Sequence, residues 1–316
     1  MRSLVANHPH KARAGEKTES VPLGAPQSQQ AGEAALVTGA GHGVGREIAI
    51  QLASLGCKVA CVDKDESMNA CTVAMIKEDG GQAWGFVCDV SYKEEVFKMA
   101  AKVREEVGEV TILVNNAGVM VIKQFLEQSD AEVEDTVNVN LLGQLWLIRQ
   151  FLPGMLRANK SSIVFMCGLP GYGGAPYMVP YSASKFAVRG LREALYVELR
   201  QTHPENQVHL MLVSPYCVDT GKGNKSRMKL PGLLPDLSVT FVASEIITAM
   251  RRGDNILFLP AVIFYISKLV RLLPAKVQLL ITDLMDTGIE GEHPISFVEQ
   301  KQMENKTNKQ TSNQLR

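Results

Sequence analysis

Six short apolar runs follow one another between residues 33 and 215: EAALVTGA, CKVACVD, QAWGFVCDV, VTILVNNAG, SSIVFMCG and VHLMLVSP. Longer stretches of helical periodicity separate them, among them VGREIAIQLASLG and KEEVFKMAAKVREEVG. A strand that is apolar along its whole length must be covered on both faces, and strands that alternate with helices find that cover in a parallel sheet wound on both sides. The expectation is an α/β chain whose ligands bind where the carboxyl ends of the strands emerge.

The rest of the chain bounds what such a sheet can serve. With 46% hydrophobic side chains in 316 residues, a large core is affordable. The 33 basic and 33 acidic residues cancel, so no overall field draws nucleic acid, and none is expected as a partner. Six cysteines, at 57, 61, 71, 88, 167 and 217, follow no metal-ligand spacing and read as reduced core thiols; no metal is expected. Residues 1–32 form a polar leader with three prolines and no secretory signal, which implies disorder and a cytoplasmic location. Arg2, Lys11 and Arg13 would suit a transit peptide, but Glu16 and Glu19 oppose one. The organisation expected is this leader, a nucleotide-binding domain over 33–260, an apolar helical segment over 261–290 and a polar tail over 291–316.

The first run ends in TGAGHGVG and a helix pattern begins at once. Gly39, Gly43 and Gly45, with Val44 between the last two, allow a tight turn and a close approach to a pyrophosphate at a helix N-terminus. The second run ends in Asp63, about twenty residues beyond the glycines, where a carboxylate accepts hydrogen bonds from an adenosine ribose. That favours NAD over NADP, whose 2′-phosphate Asp63 would repel, while the adjacent Lys64 pulls the other way. Asp89 and Val90, closing the third run, stand ready for the adenine edge.

Further on, Tyr181 and Lys185 lie at i and i+4 in YSASKFAVRGLREALYVELR, on one helix face. A neighbouring ammonium, and the cation of an oxidised nicotinamide, would favour the phenolate and lower the tyrosine pKa. Together TGAGHGVG, CDV, NNAG, NVNLLG, YSASK and SPYCVDTG stand in the order and spacing of the short-chain dehydrogenase/reductase family, which residues 33–260 resemble. The resemblance implies a Rossmann-type fold and hydride transfer between a nicotinamide cofactor and an alcohol or carbonyl. It implies Tyr181 as general acid/base, Lys185 on the nicotinamide ribose, and Asn140 holding a relay water. It also implies Asn115, Asn116, Ala117 and Gly118 along the adenine-side cleft, Pro215, Val218 and Thr220 at the nicotinamide end, and a homo-oligomer. The family's substrate-polarising serine, thirteen residues before the tyrosine, is here Gly168.

After the basic stretch GKGNKSRMKLPGLLPDL comes ILFLPAVIFYISKLVRLLPAKVQLLI, whose apolar run over 256–266 is too short to span a bilayer. It reads as a partly amphipathic helix that either packs on the core or a dimer partner, or rests on a membrane. This half is similar to the branch of lipid-droplet 17β-hydroxysteroid dehydrogenases and epidermal retinol dehydrogenases, which implies an apolar alcohol or ketone substrate and peripheral attachment to endoplasmic reticulum or lipid droplets. Two readings of function stay open: an oxidoreductase slowed by the missing serine, and a catalytically silent NAD-binding module.

Overall fold

The computed structural model describes residues 31–220, 225–227, 236–274, 276–278, 280 and 288–290. The expected leader up to residue 30, most of the basic stretch after Thr220 and the tail from 291 lie outside the described residues. All six apolar runs are strands: β1 (Ala34–Thr38), β2 (Lys58–Asp63), β3 (Gln82–Val87), β4 (Val110–Asn115), β5 (Ser161–Met166) and β6 (Val208–Pro215). A seventh, β7 (Ile256–Leu259), completes one parallel sheet in the order β7-β6-β5-β4-β1-β2-β3. The order reverses between β1 and β4, and this switch point opens a crevice at their carboxyl ends.

Alternation along β1 divides the core in two. Ala35 and Val37 face one side, packed with Ile48 and Leu52 of α1 (Gly43–Ser54) and Ile246 of α7 (Val239–Arg252). Leu36 faces the other, with Val96 and Met99 of α3 (Lys93–Glu106), Leu147 and Phe151 of α5 (Gly143–Ala158) and Val188 of α6 (Val179–Thr202). Helices α2 (Glu66–Glu78) and α4 (Asp130–Val137) complete the layers, each with a side-chain cap: Asp65 accepts from the Met68 N–H, and Ser129 with Glu132 forms a capping box.

Two expectations change here. The apolar run over 256–266 is not one helix. Its first four residues are the edge strand β7, buried from Leu257 on, and only after Pro260 does α8 (Val262–Arg271) begin. A strand needs no 3.6-residue period, so four apolar residues joined to an amphipathic helix read as a longer helix. Among the thiols, Cys57, Cys61, Cys88 and Cys167 are buried as expected, but Cys71 lies exposed on the outer face of α2. Burial pushes the thiols of Cys57, Cys61 and Cys88 up to about 12 and that of Cys167 to about 11. No helix of the described residues is long and apolar enough to cross a membrane.

One buried hydroxyl joins the strands that flank the switch point. Thr38 Oγ donates to the Val114 carbonyl at 3.2 Å and accepts from the N–H groups of Asn116 at 3.1 Å and Ala117 at 3.0 Å. Thr38→Val keeps the shape and strands two donors and one acceptor, so it is expected to lower unfolding stability by on the order of 3 kcal/mol. Urea denaturation of the two proteins checks this, with the slope against urea unchanged.

Candidate active site

The turn between β1 and α1 is built for close backbone approach. Gly39 and Gly43 have φ of +67° and +55°, and a Cβ on Gly45 would lie 2.1 Å from the Gly39 carbonyl oxygen. No side chain caps the N-terminus of α1 and no acidic residue stands in its first turn, unlike α2 and α4. An anion is therefore welcome at those N–H groups. Asn116 supports the turn from β4: its amide nitrogen donates to the Thr38 carbonyl at 2.8 Å. Thr220 closes over the other side, its methyl 3.3 Å from where a Gly43 Cβ would be. These residues fit a dinucleotide pyrophosphate.

Asp63 is held where a ribose would meet it. One carboxylate oxygen accepts from the Gly41 N–H at 2.8 Å and the other from the Asp65 N–H at 3.0 Å. Gly41 was not among the expected residues; its proximity to Asp63 comes from the turn's folding back onto β2, which glycine spacing alone does not reveal. Arg46 also escaped notice: it donates to Thr72 Oγ at 3.0 Å and to the Gly41 carbonyl, bracing the turn from α1. Lys64 Nζ is 3.9 Å from Asp89, whose other oxygen takes two bonds from Ser91. Val44 and Val90 turn their side chains into the core, so only their backbone can face a ligand. Asn115, the last residue of β4, is likewise buried.

Gly118 stands beside Asn140 and Lys185. A Cβ there would be 3.2 Å from Asn140 Oδ1 and 3.7 Å from Lys185 Nζ. Asn140 is fully buried in a π-turn (Asn138–Leu142) between α4 and α5. Its amide accepts from the Val119 N–H at 2.8 Å and donates to the Val119 carbonyl at 2.9 Å and to Ser184 Oγ at 3.1 Å. The side chain thus joins the β4 loop to α6. Its main-chain carbonyl accepts from Gln144 Nε2 at 3.0 Å, a bond that i, i+4 spacing could have suggested.

Tyr181 and Lys185 share the inner face of α6, with Lys185 Nζ 5.4 Å from the tyrosine ring centre. Lys185 is buried and donates to the carbonyl of Met166, the last residue of β5, at 2.9 Å. Desolvation pulls its pKa down to about 8, against a smaller upward pull from the Cys167 thiol. Tyr181 is pushed up to about 12, by burial first and by Cys167 second. The expected lowering is therefore not a property of the protein by itself. Lys185 is itself desolvated, and burial governs the phenol.

Gly168 differs from a serine in more than its side chain. At φ +82° and ψ 167° it occupies backbone space that is almost exclusive to glycine. Its N–H and that of Cys167 both donate to the Val213 carbonyl, at 3.1 and 2.9 Å. Cys167 Sγ faces the opposite way, bonded to the Lys185 carbonyl at 3.3 Å, and supplies no substitute donor. Beyond Gly168, over the carboxyl ends of β5 to β7, Leu169, Tyr172, Tyr216, Phe258, Ile263 and Phe264 form an apolar, largely aromatic cluster. Among the described residues no group of three or more His, Cys, Asp or Glu is arranged to hold a metal ion.

Comparison with known proteins adds to this geometry. Residues 33–230 match the family model for short chain dehydrogenase. Epidermal retinol dehydrogenase 2 of Mus musculus is 34% identical over 82% of this chain and 84% of its own length. Estradiol 17-beta-dehydrogenase 11 of the same organism is 36% identical over 78% and 81%. Among solved structures, a short chain dehydrogenase/reductase from Burkholderia phymatum in complex with NAD matches with a TM-score of 0.69 at 30% identity, over 77% of this chain and 94% of that one. A metagenomic short-chain oxidoreductase in complex with NADP matches at 0.60 and 29%, over 71% and 92%.

Two outcomes follow from the site itself. Gly168→Ser is expected to destabilise the protein by about 1–3 kcal/mol, because a side chain is forced into the glycine-only region; thermal melting checks it. Lys185 has a folded pKa near 8 against the ordinary 10.5, so between those values the unfolded chain holds more protons and stability rises with pH. Denaturation of the cofactor-free protein is expected to show wild type gaining on Lys185→Met from pH 8 to about 10.5, the ordinary lysine value.

Proposed function

The chain belongs to the short-chain dehydrogenase family, and on that premise we propose that it interconverts a lipophilic alcohol and its carbonyl, of the retinoid or steroid class, with NAD. The observation that carries the reading is the placement of Tyr181 and Lys185 on one face of α6, next to Gly118 and the Asn140 link, at the mouth of the switch-point crevice. The names of the retinol and estradiol dehydrogenase relatives support the substrate class, as does the aromatic cluster beside Gly168.

When bound, the nicotinamide dinucleotide supplies the hydride acceptor, or the donor in the reverse direction. Gly39, Gly43 and Gly45 would hold its pyrophosphate, and Asp63 its adenosine ribose. Asp63 favours NAD over NADP: its carboxylate stands fixed by two backbone N–H groups, while Lys64 leans towards Asp89. Tyr181 accepts the proton of the substrate hydroxyl in oxidation and returns it in reduction. Lys185, as an ammonium, makes the phenolate less costly and would bind the nicotinamide ribose. The Asn140 carbonyl has a second lone pair for a relay water beside Gln144. With Gly168 in place of the serine, the substrate oxygen loses one hydrogen bond, a loss of about 10² to 10³ in rate by analogy with an oxyanion-hole donor.

The outward side chains of α8, including Val262, Tyr265, Ile266 and Leu269, are exposed and apolar. They support peripheral contact with endoplasmic reticulum or lipid-droplet surfaces as part of the same proposal. A second reading, a silent NAD-binding module, is favoured by one observation: the backbone at Gly168 has no room in φ and ψ for the serine it replaces.

Both are tested by NADH formation from retinol, steroid and simple secondary alcohols in detergent, with Tyr181→Phe alongside. Turnover of at least one lipophilic alcohol is expected, reduced about 100-fold or more in the variant at unchanged NAD affinity. If both proteins bind NAD and both are inert on the whole panel, the module reading replaces the enzyme.

A further inference from the structure

Arg271 closes α8 onto the segment that carries the site. Its Nε donates to the main-chain carbonyl of Tyr172 at 3.0 Å and Nη2 donates to the same oxygen. The guanidinium also lies 5.4 Å from the centre of the Phe186 ring, on the residue next to Lys185. Tyr172 belongs to the loop over 168–178, which starts at Gly168 and delivers the chain into α6 and Tyr181. Its ring packs on Phe258 at 4.8 Å and carries Arg189 of α6 over it at 4.5 Å. At the other end of α8, Ile263 and Phe264 join the same aromatic cluster, Phe264 lying 5.1 Å from Phe258. The helix is therefore pinned twice, by apolar packing at its start and by one cation at its end.

We propose that Arg271 is a positioning residue for the substrate: by fixing α8 to the Tyr172 carbonyl and to Phe186, it holds the loop over 168–178 and the aromatic cluster in one shape, and so sets how tightly a lipophilic substrate is gripped. This rests on the oxidoreductase reading for its kinetic part alone. A forked guanidinium on one carbonyl fixes direction as well as distance, which a single ammonium does less well. In a site that lacks the serine, orientation of the substrate depends more on its walls. A wall that shifts alters substrate binding before it alters the chemistry of Tyr181.

The test uses the full chain with NAD bound, comparing wild type, Arg271→Ala and Arg271→Lys by hydrogen exchange and by kinetics. The alanine variant is expected to exchange about tenfold faster through 168–178 with β1 to β4 unchanged, the lysine variant lying between. With any alcohol the protein oxidises, KM for that alcohol is expected to rise about tenfold, with kcat within about twofold and KM for NAD unchanged. Unchanged exchange through 168–178 in Arg271→Ala overturns the proposal, and so does a loss that falls equally on NAD and alcohol. The exchange arm needs no turnover, so an inert protein would remove the oxidoreductase reading while leaving the clamp decided by exchange.

Discussion

The contact on which the site depends is backbone against backbone: the first turn of α1 lies against the Gly39 carbonyl so closely that no residue at 45 can carry a Cβ. That approach brings the N-terminus of α1 to the ends of β1 and β4, and Thr38 and Asn116 lock it there from both strands. The same β4 end then continues through Gly118 and Val119 to Asn140, and Asn140 bonds Ser184 on the helix of Tyr181. These hydrogen bonds, with the main chain between them, thus tie the glycine turn to the helix that carries Tyr181 and Lys185. Neither end could be shifted without leaving buried polar groups unpaired, which is costly at every link.

Electrostatics at the pair follow from that rigidity. Lys185 is buried to reach the Met166 carbonyl, and the burial that fixes it also weakens it as a cation. Tyr181, pressed between the same elements, is made a poorer acid by the protein alone. The two shifts share their largest cause, loss of water, and they work against the proton transfer expected of the pair. A positive charge brought in with an oxidised nicotinamide would act on both, stabilising the phenolate beside it. On the proposed reading, acid/base competence belongs to the assembled site, and proton transfer waits on cofactor binding.

What could be read in the linear chain was what depends on neighbours in sequence. Strand and helix alternation, the glycine turn, Asp63 at a strand end and Tyr181 with Lys185 one turn apart are all local patterns, and the structure assembles them at one crevice. What could not be read depends on φ, on packing or on distant partners. Gly168 shows in the sequence as a missing hydroxyl, whereas its positive φ appears only once Cys167 and Gly168 share the Val213 carbonyl. The π-turn that buries Asn140 and sets its amide on Val119 likewise leaves no mark in the NVNLLG motif. The apolar run over 256–266 has its dividing residue, Pro260, in plain view; the pairing of β7 with β6 that decides its first half lies more than forty residues upstream.

The glycine at 168 and the clamp at 271 are linked by the loop between them. A serine in the extended backbone usual for a strand end would add a hydrogen bond to the substrate and also keep the chain on its course. Glycine at φ +82° turns it instead, into the short 3-10 turn Leu169–Gly171, and sets the Tyr172 carbonyl where Arg271 reaches it. Gly171 cannot take a side chain either, since its Cβ would lie 2.2 Å from Cys167 Sγ and 2.9 Å from the Lys185 carbonyl oxygen. The turn, the thiol and the start of α6 are therefore packed as one unit. A serine at 168 alone would contradict the backbone around it, which holds a φ that only glycine adopts readily.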